Sequence, residues 1–183
     1  MKGMNKLNNP IRCSLLLLTF LFMHTTAYAQ SPPAESATVP EQVLNEKFQS
    51  LRGRTFKLAS YKNAVIVLAL WTTWCVPCRA AMVDLNRIDT KYRSTDKVKV
   101  VALTVEDTDD AEQLCDYART YKLDYELIWG EKEIVELLFQ AKDFIPQFFI
   151  FSPDGHVQGR LKGFNPKTTP LLLRKAIEKA LVK

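Results

Sequence analysis

Cys75 and Cys78 stand three positions apart in the run Trp74-Cys75-Val76-Pro77-Cys78, and two thiols so spaced can close and reopen a disulfide. The run follows a stretch of strand formers and precedes a helical pattern. Pro77 falls just inside that helix, where its missing N–H removes no intrahelical bond. In such a turn the Cys75 sulfur can face the unpaired N–H groups of the helix start, which favour a thiolate. Cys78 is then near enough to attack any disulfide that Cys75 forms. The chemistry implied is thiol–disulfide exchange, with Cys75 as nucleophile and Cys78 as resolving thiol.

Other uses of a cysteine pair fit less well. A structural zinc site takes four ligands, usually two such pairs or added His, and beyond the N-terminal segment only one His, His156, remains and there is no second pair. Haem attachment needs His directly after the second cysteine, where this chain has Arg79. Peroxide reduction is weakly suggested by Thr72, but Leu68 occupies the position where Pro is expected. A non-catalytic Cu(I)-binding assembly factor is the main alternative, using Cys75, Cys78 and Met82, because soft thiolates select Cu(I). Against it, no Met-rich or His-rich segment lies nearby. No metal and no cofactor beyond a redox-active Cys75–Cys78 disulfide are expected. Cys115 falls on the apolar stripe of a predicted helix, where a free cysteine is ordinarily core.

Positioning the turn requires a buried strand before it and a helix after it. Ala64 to Leu70 is a continuous apolar run, which suits a strand covered on both faces. Pro77 to Tyr92 carries Ala81, Leu85, Ile88 and Tyr92 on a helical stripe. A short hairpin is predicted earlier, with Phe48–Leu51 and Thr55–Leu58 flanking Arg52-Gly53-Arg54. Later come a strand at Val98–Val105, a helix at Asp109–Lys122, a short strand at Tyr125–Trp129 and a helix at Lys132–Gln140. Gln147–Ser152 and His156–Leu161 form a hairpin about Ser152-Pro153-Asp154-Gly155, which has type I turn chemistry. Thr168–Val182 closes the chain as an amphipathic helix. The order predicts an α/β fold whose mixed central sheet has helices on both faces.

The 183 residues are 47% hydrophobic, enough for one domain with a sizeable core. Residues 1–29 read as a secretory signal peptide: Lys2, Lys6 and Arg12 precede an apolar stretch from Cys13 to Met23, and Ala27-Tyr28-Ala29 has the small-x-small form of a cleavage site. The uncharged window of 17 residues, Cys13 to Ala29, is marginal for an uncleaved membrane anchor. Residues 30–40 are Pro/Ser/Ala-rich and read as a flexible lead-in, leaving 41–183 as the domain. The formal charge of +5 includes three positives in residues 1–29, which hold no acid. The remainder has 22 basic against 20 acidic residues, so nothing in its charge argues for nucleic acid. One close cysteine pair plus an odd one is not a disulfide-stapled mini-domain.

The Trp-Cys-Val-Pro-Cys turn after a buried strand, with Ile145-Pro146 before the later hairpin, resembles the thioredoxin superfamily. Within it the chain is similar to the exported TlpA/ResA-like group, which shares a leading hairpin, a W-C-x-P-C-R motif, an inserted strand–helix element and a final hairpin. The likeness runs from about Phe48 to Val182 and implies a thioredoxin-like three-layer fold with an N-terminal β-hairpin. It also implies a cis Ile145–Pro146 peptide, and a substrate groove formed by Trp74, Val76, Pro77, Ile145, Pro146, Gly163 and Phe164. Thioredoxins commonly carry a buried Asp six residues before the first cysteine, but this chain has Ala69. The group often has an acid at the end of the next strand instead; Glu106 or Asp107 would be that proton acceptor, with Asp107 the better fit in register. Val83 replaces the usual Pro five residues after the second cysteine.

The expected activity is that of an extracytoplasmic or periplasmic thiol–disulfide oxidoreductase, an enzyme soluble after signal cleavage and acting as a monomer. Val76 and Pro77 between the cysteines offer no side-chain donor to a thiolate, which favours a reductant. By resemblance, its partners are protein disulfides and dithiols, such as those of apocytochrome c or copper-site cysteines. A membrane-linked electron donor would return it to the dithiol.

Overall fold

A computed structural model describes residues 41–61, 63–106, 111–139 and 144–182. The predicted signal peptide and lead-in, residues 1–40, lie outside these. So does Asp107.

The chain enters through a five-residue helix, α1 (Glu41–Asn45), which the sequence reading did not include. The hairpin β1 (Phe48–Gln49) and β2 (Thr55–Phe56) follows, then a 3₁₀ turn at Leu58–Ser60. Next come β3 (Val65–Trp71), α2 (Val76–Tyr92), β4 (Val98–Thr104), α3 (Ala111–Thr120), β5 (Glu126–Trp129) and α4 (Lys132–Leu138). The chain ends with β6 (Gln147–Phe151), β7 (Val157–Lys162) and α5 (Thr169–Leu181).

Five strands form the central sheet in the order β5-β4-β3-β6-β7. β3, β4 and β5 run parallel, while β6 is antiparallel to β3 and β7 to β6. Every residue of β3 is buried, because its two faces meet different cores. Val65, Val67, Ala69 and Trp71 pack with Ala81, Leu85 and Ile88 of α2, Leu114 of α3, and Leu173 and Ile177 of α5. Ile66, Leu68 and Leu70 pack instead with Val43 of α1, Phe48 and Phe56 of the hairpin, and Ile134 and Leu138 of α4. The fold is thus a three-layer α/β structure with a mixed sheet, as the order of elements predicts. Among the described residues no helix is long and apolar enough to cross a membrane.

Two expectations need correction. The hairpin strands are two residues each, shorter than Phe48–Leu51 and Thr55–Leu58. Ser50 leaves the hairpin ladder to bridge Ile128, and the Leu51 N–H bonds the Leu127 carbonyl at 2.9 Å, so the segment joins the edge of β5. Cys115 is half-buried instead of core. α3 fully buries only Leu114, and its Cys115 side lines a cleft with Leu51, Arg52 and Tyr125.

Candidate active site

The parallel pairing of β3 with β4 sets the site's position. Trp71 and Thr104 are register partners at the strand ends, so the chain leaving β3 emerges beside the chain leaving β4. Beyond β3, Cys75 is the N-cap of α2, with extended backbone at φ −76 and ψ 104, and Pro77 lies in the first turn. The Cys78 N–H donates to Cys75 Sγ at 3.2 Å. A helix N-terminus leaves its first N–H groups without intrahelical partners, so this sulfur takes the place of a capping oxygen. The two sulfurs are bonded to each other at 2.05 Å. The same N–H would face a Cys75 thiolate in the reduced protein.

Both cysteines are more covered than the sequence suggests. Cys75 is 4% exposed and Cys78 fully buried. Cys75 remains the outer of the two, but only a sliver of it reaches solvent. Trp74 is 68% and Val76 69% exposed, and Pro77 is also exposed. Beneath the pair lies apolar packing that includes Ala69, at the position where thioredoxins commonly carry Asp.

The chain before β6 and after β7 packs against the same core as the cysteines. The Ile145–Pro146 peptide is cis. The Gly163 N–H donates to the Pro146 carbonyl at 2.7 Å, which ties the end of β7 to this loop. Gly163 has φ +75, a region L side chains rarely adopt, and a Cβ there would lie 3.0 Å from the Phe144 ring. Ile145 and Phe164 are partly buried against the core that holds the cysteines. Phe144, which sequence reasoning missed, is 57% exposed. The one signal available was an aromatic directly before Ile145-Pro146.

Glu106 is at the site in a different manner from that of a free acid. Its Oε1 accepts from the Thr73 N–H at 3.0 Å and from Thr104 Oγ1 at 3.2 Å, and its Oε2 accepts from Thr73 Oγ1 at 2.9 Å. Tyr117 is a further residue the sequence did not single out. Its ring lies 4.9 Å from that of Trp71, and among the described residues its buried hydroxyl has no hydrogen-bond partner. Burial pushes the Tyr117 phenol up to about 12, helped by Tyr121 and Glu106 and opposed by Arg79.

Residues 37–160 match the model of a family described as the AhpC/TSA family. The chain is 25% identical over 154 residues to a thiol-disulfide oxidoreductase ResA of Bacillus cereus, covering 84% of this chain and 86% of that protein. It is 30% identical over 95 residues to the thioredoxin-like protein YneN of Bacillus subtilis, covering 51% of this chain and 55% of that one. A thiol:disulfide interchange protein of the thioredoxin family from Chlorobium tepidum superposes with a TM-score of 0.63 at 21% identity, covering 74% of this chain and 92% of that one. A secreted disulfide oxidoreductase of Mycobacterium tuberculosis gives 0.62 at 18% identity, covering 76% and 98%. The structural likenesses are likenesses of fold.

Proposed function

Because the chain belongs to the AhpC/TSA family, we propose that it is an extracytoplasmic thiol–disulfide oxidoreductase that reduces disulfides in exported client proteins. The observation that carries this reading is the Cys75–Cys78 pair at the start of α2, with Cys75 Sγ accepting the Cys78 N–H inside an apolar rim. The reduced Cys75 thiolate attacks one sulfur of a client disulfide, and the other client sulfur leaves as a thiolate. The mixed disulfide is then resolved. Cys78 loses its proton and attacks Cys75 Sγ, the second client thiolate leaves and is protonated, and two electrons have passed to the client.

The proton of Cys78 needs an acceptor in a buried place. We assign that role to Asp107 by its sequence register; the hydrogen bonds that Glu106 accepts from Thr73 support a different task for Glu106. Trp74, Val76, Pro77, Ile145, Pro146, Gly163 and Phe164, with Phe144 added, form the rim on which an extended client segment lies. Pairing along the loop at Ile145 is how such grooves hold a peptide across a disulfide. A membrane-linked dithiol donor returns the pair to its reduced form. Clients with paired cysteines awaiting haem or copper suit this chemistry, and the export signal read from residues 1–29 would bring the protein to them.

The direction follows from the two residues between the cysteines. Val76 and Pro77 supply no side-chain donor to a Cys75 thiolate, so the reduced form lacks the stabilisation that marks a strong oxidant. The potential belongs near thioredoxin's roughly −270 mV and far from the roughly −120 mV of a strong oxidase. Equilibration with glutathione, followed by quantifying the oxidised fraction, measures it; an oxidase-like value overturns the direction. The reduced protein should reduce insulin disulfides, and Cys75→Ser should abolish this. Cys78→Ala should hold clients as stable mixed disulfides for identification by mass spectrometry.

A further inference from the structure

The loops that follow β3 and β4 are joined by one side chain. Glu106 lies two residues beyond β4, and its carboxylate takes both hydrogen-bond donors of Thr73, which lies two residues beyond β3. One oxygen receives the Thr73 N–H at 3.0 Å and the other the Thr73 hydroxyl at 2.9 Å. A third donor, Thr104 Oγ1, holds the first oxygen from the Glu106 side at 3.2 Å, and Thr104 is itself almost fully buried in β4. The bond from the Val105 N–H to the Trp71 carbonyl, at 2.9 Å, sets the two loops side by side just before this point.

We propose that Glu106 is a positioning residue: its carboxylate clamps Thr73 and so fixes the direction in which the chain enters the Cys75 N-cap. Thr73 immediately precedes Trp74 and stands two residues before Cys75. With Thr73 held at its N–H and its hydroxyl, the Thr72 carbonyl accepts from the Cys75 N–H at 3.4 Å, and Cys75 Sγ is aimed at the Cys78 N–H. Trp74 is turned outward onto the rim by the same constraint. A carboxylate suits this task because it is acceptor-only, and the two groups of Thr73 are both donors. Bonds to an ionised acceptor are also about twice as strong as neutral ones.

This assignment rests on the exchange activity proposed above, and it differs in its consequences from a proton-acceptor role for Glu106. Glu106→Gln keeps an oxygen for the Thr73 N–H and an amide that can donate to the Thr73 hydroxyl, but it is no base. Glu106→Ala removes the clamp altogether. The clamp therefore requires that Glu106→Ala, which removes both bonds to Thr73, lower the insulin-reduction rate by about 10-fold. Glu106→Gln should restore it to within about threefold of wild type, with an unaltered pH profile. Thr73→Val keeps the N–H bond and loses the hydroxyl one, so it should fall between the two. Combined with Glu106→Ala it should add nothing, since both variants break one interaction.

If Glu106→Gln is as slow as Glu106→Ala and loses the alkaline-to-neutral dependence of the rate, Glu106 is a base and the clamp is wrong. Additive effects of Thr73→Val and Glu106→Ala overturn it equally. Should the wild-type protein fail to reduce insulin at all, the functional reading falls by itself. The clamp is then judged from the alkylation rate of reduced Cys75, where the same non-additivity between Thr73→Val and Glu106→Ala is required.

Discussion

Gly163 illustrates how a residue with no side chain would shape the proposed rim. Its φ of +75 is a conformation that costs an L residue about 1–2 kcal/mol. Its open side is already filled by Phe144, whose ring edge would lie 3.0 Å from an added Cβ. Gly163→Ala should therefore lower stability by about 1–2 kcal/mol and displace Phe144 from the rim. Insulin reduction should slow several-fold through KM, while alkylation of reduced Cys75 by a small reagent stays near the wild-type rate. Equal slowing of both reactions would mean that the variant disturbs the sulfur itself and not the rim. Phe144→Ala offers the complement: the ring is mostly exposed, so client KM should rise with little change in Tm. Trp74, Val76 and Pro77 flank the cysteines in sequence, so their place beside the turn follows directly from the motif. Phe144 was not legible, because periodicity reports which apolar residues are buried and is silent on which one a loop turns outward. Nor did Lys162-Gly163-Phe164 reveal the backbone conformation that Gly163 adopts. Glu106 was named through the resemblance, as an acid after the next strand, but its partner Thr73 comes from the loop after β3, which only the β3–β4 register brings beside the end of β4.

The elements that carry the turn were the most legible because each must be buried in a regular way. A strand covered on both faces has to be apolar throughout, and β3 and β4 are. An amphipathic helix shows its stripe, and α2 buries Ala81, Leu85 and Ile88 as the pattern requires. α1 escaped notice because five residues are too few to display a period, and only Val43 of them is buried. The docking of the hairpin onto β5 escaped for another reason: Ser50 and Leu51 continue the alternation of a strand but change partner, and partner choice leaves no mark on alternation. Gly130 marks a second close approach. It follows β5, and a Cβ there would lie 2.5 Å from the Thr104 carbonyl oxygen and from Val135 Cγ2, and 2.6 Å from Leu103 Cδ2. The oxygen belongs to the backbone of β4 and cannot rotate away, so relief requires α4 and β5 to part from β4. Gly130→Ala should cost about 1–3 kcal/mol, the usual range for overpacking. In urea this appears as a lower midpoint with an unchanged slope. A midpoint within error of wild type would show that the gap between β4 and α4 opens freely.

Across the whole molecule, the layer that holds the cysteines also stores a sensitivity to alkali. Tyr125 precedes β5 and reaches under α2, where its hydroxyl meets the Met82 carbonyl at 3.2 Å. Burial pushes its phenol well above the ordinary tyrosine range, with Tyr117 and Asp89 acting in the same direction. Tyr117, between Trp71 and Tyr121, is raised to about 12, again chiefly by burial. An unfolded tyrosine loses its proton near pH 10. Above that pH the unfolded chain binds fewer protons than the folded one, so stability falls as pH rises. The contribution of these two phenols is complete below about pH 10 and disappears as the pH climbs through the raised folded-state values. Urea unfolding should therefore give a stability flat from neutrality to about pH 9 and declining steeply beyond about pH 10, with tyrosinate absorbance appearing together with unfolding. Tyr125→Phe should cost about 1 kcal/mol at neutral pH through the lost hydrogen bond, yet decline less steeply in alkali. If tyrosinate absorbance instead rises with an ordinary midpoint while the fold remains intact, the phenols are reachable by solvent and the packing beneath the active turn is looser than described. The same layer buries Cys78, so one packing arrangement covers both the phenols and the inner sulfur of the pair.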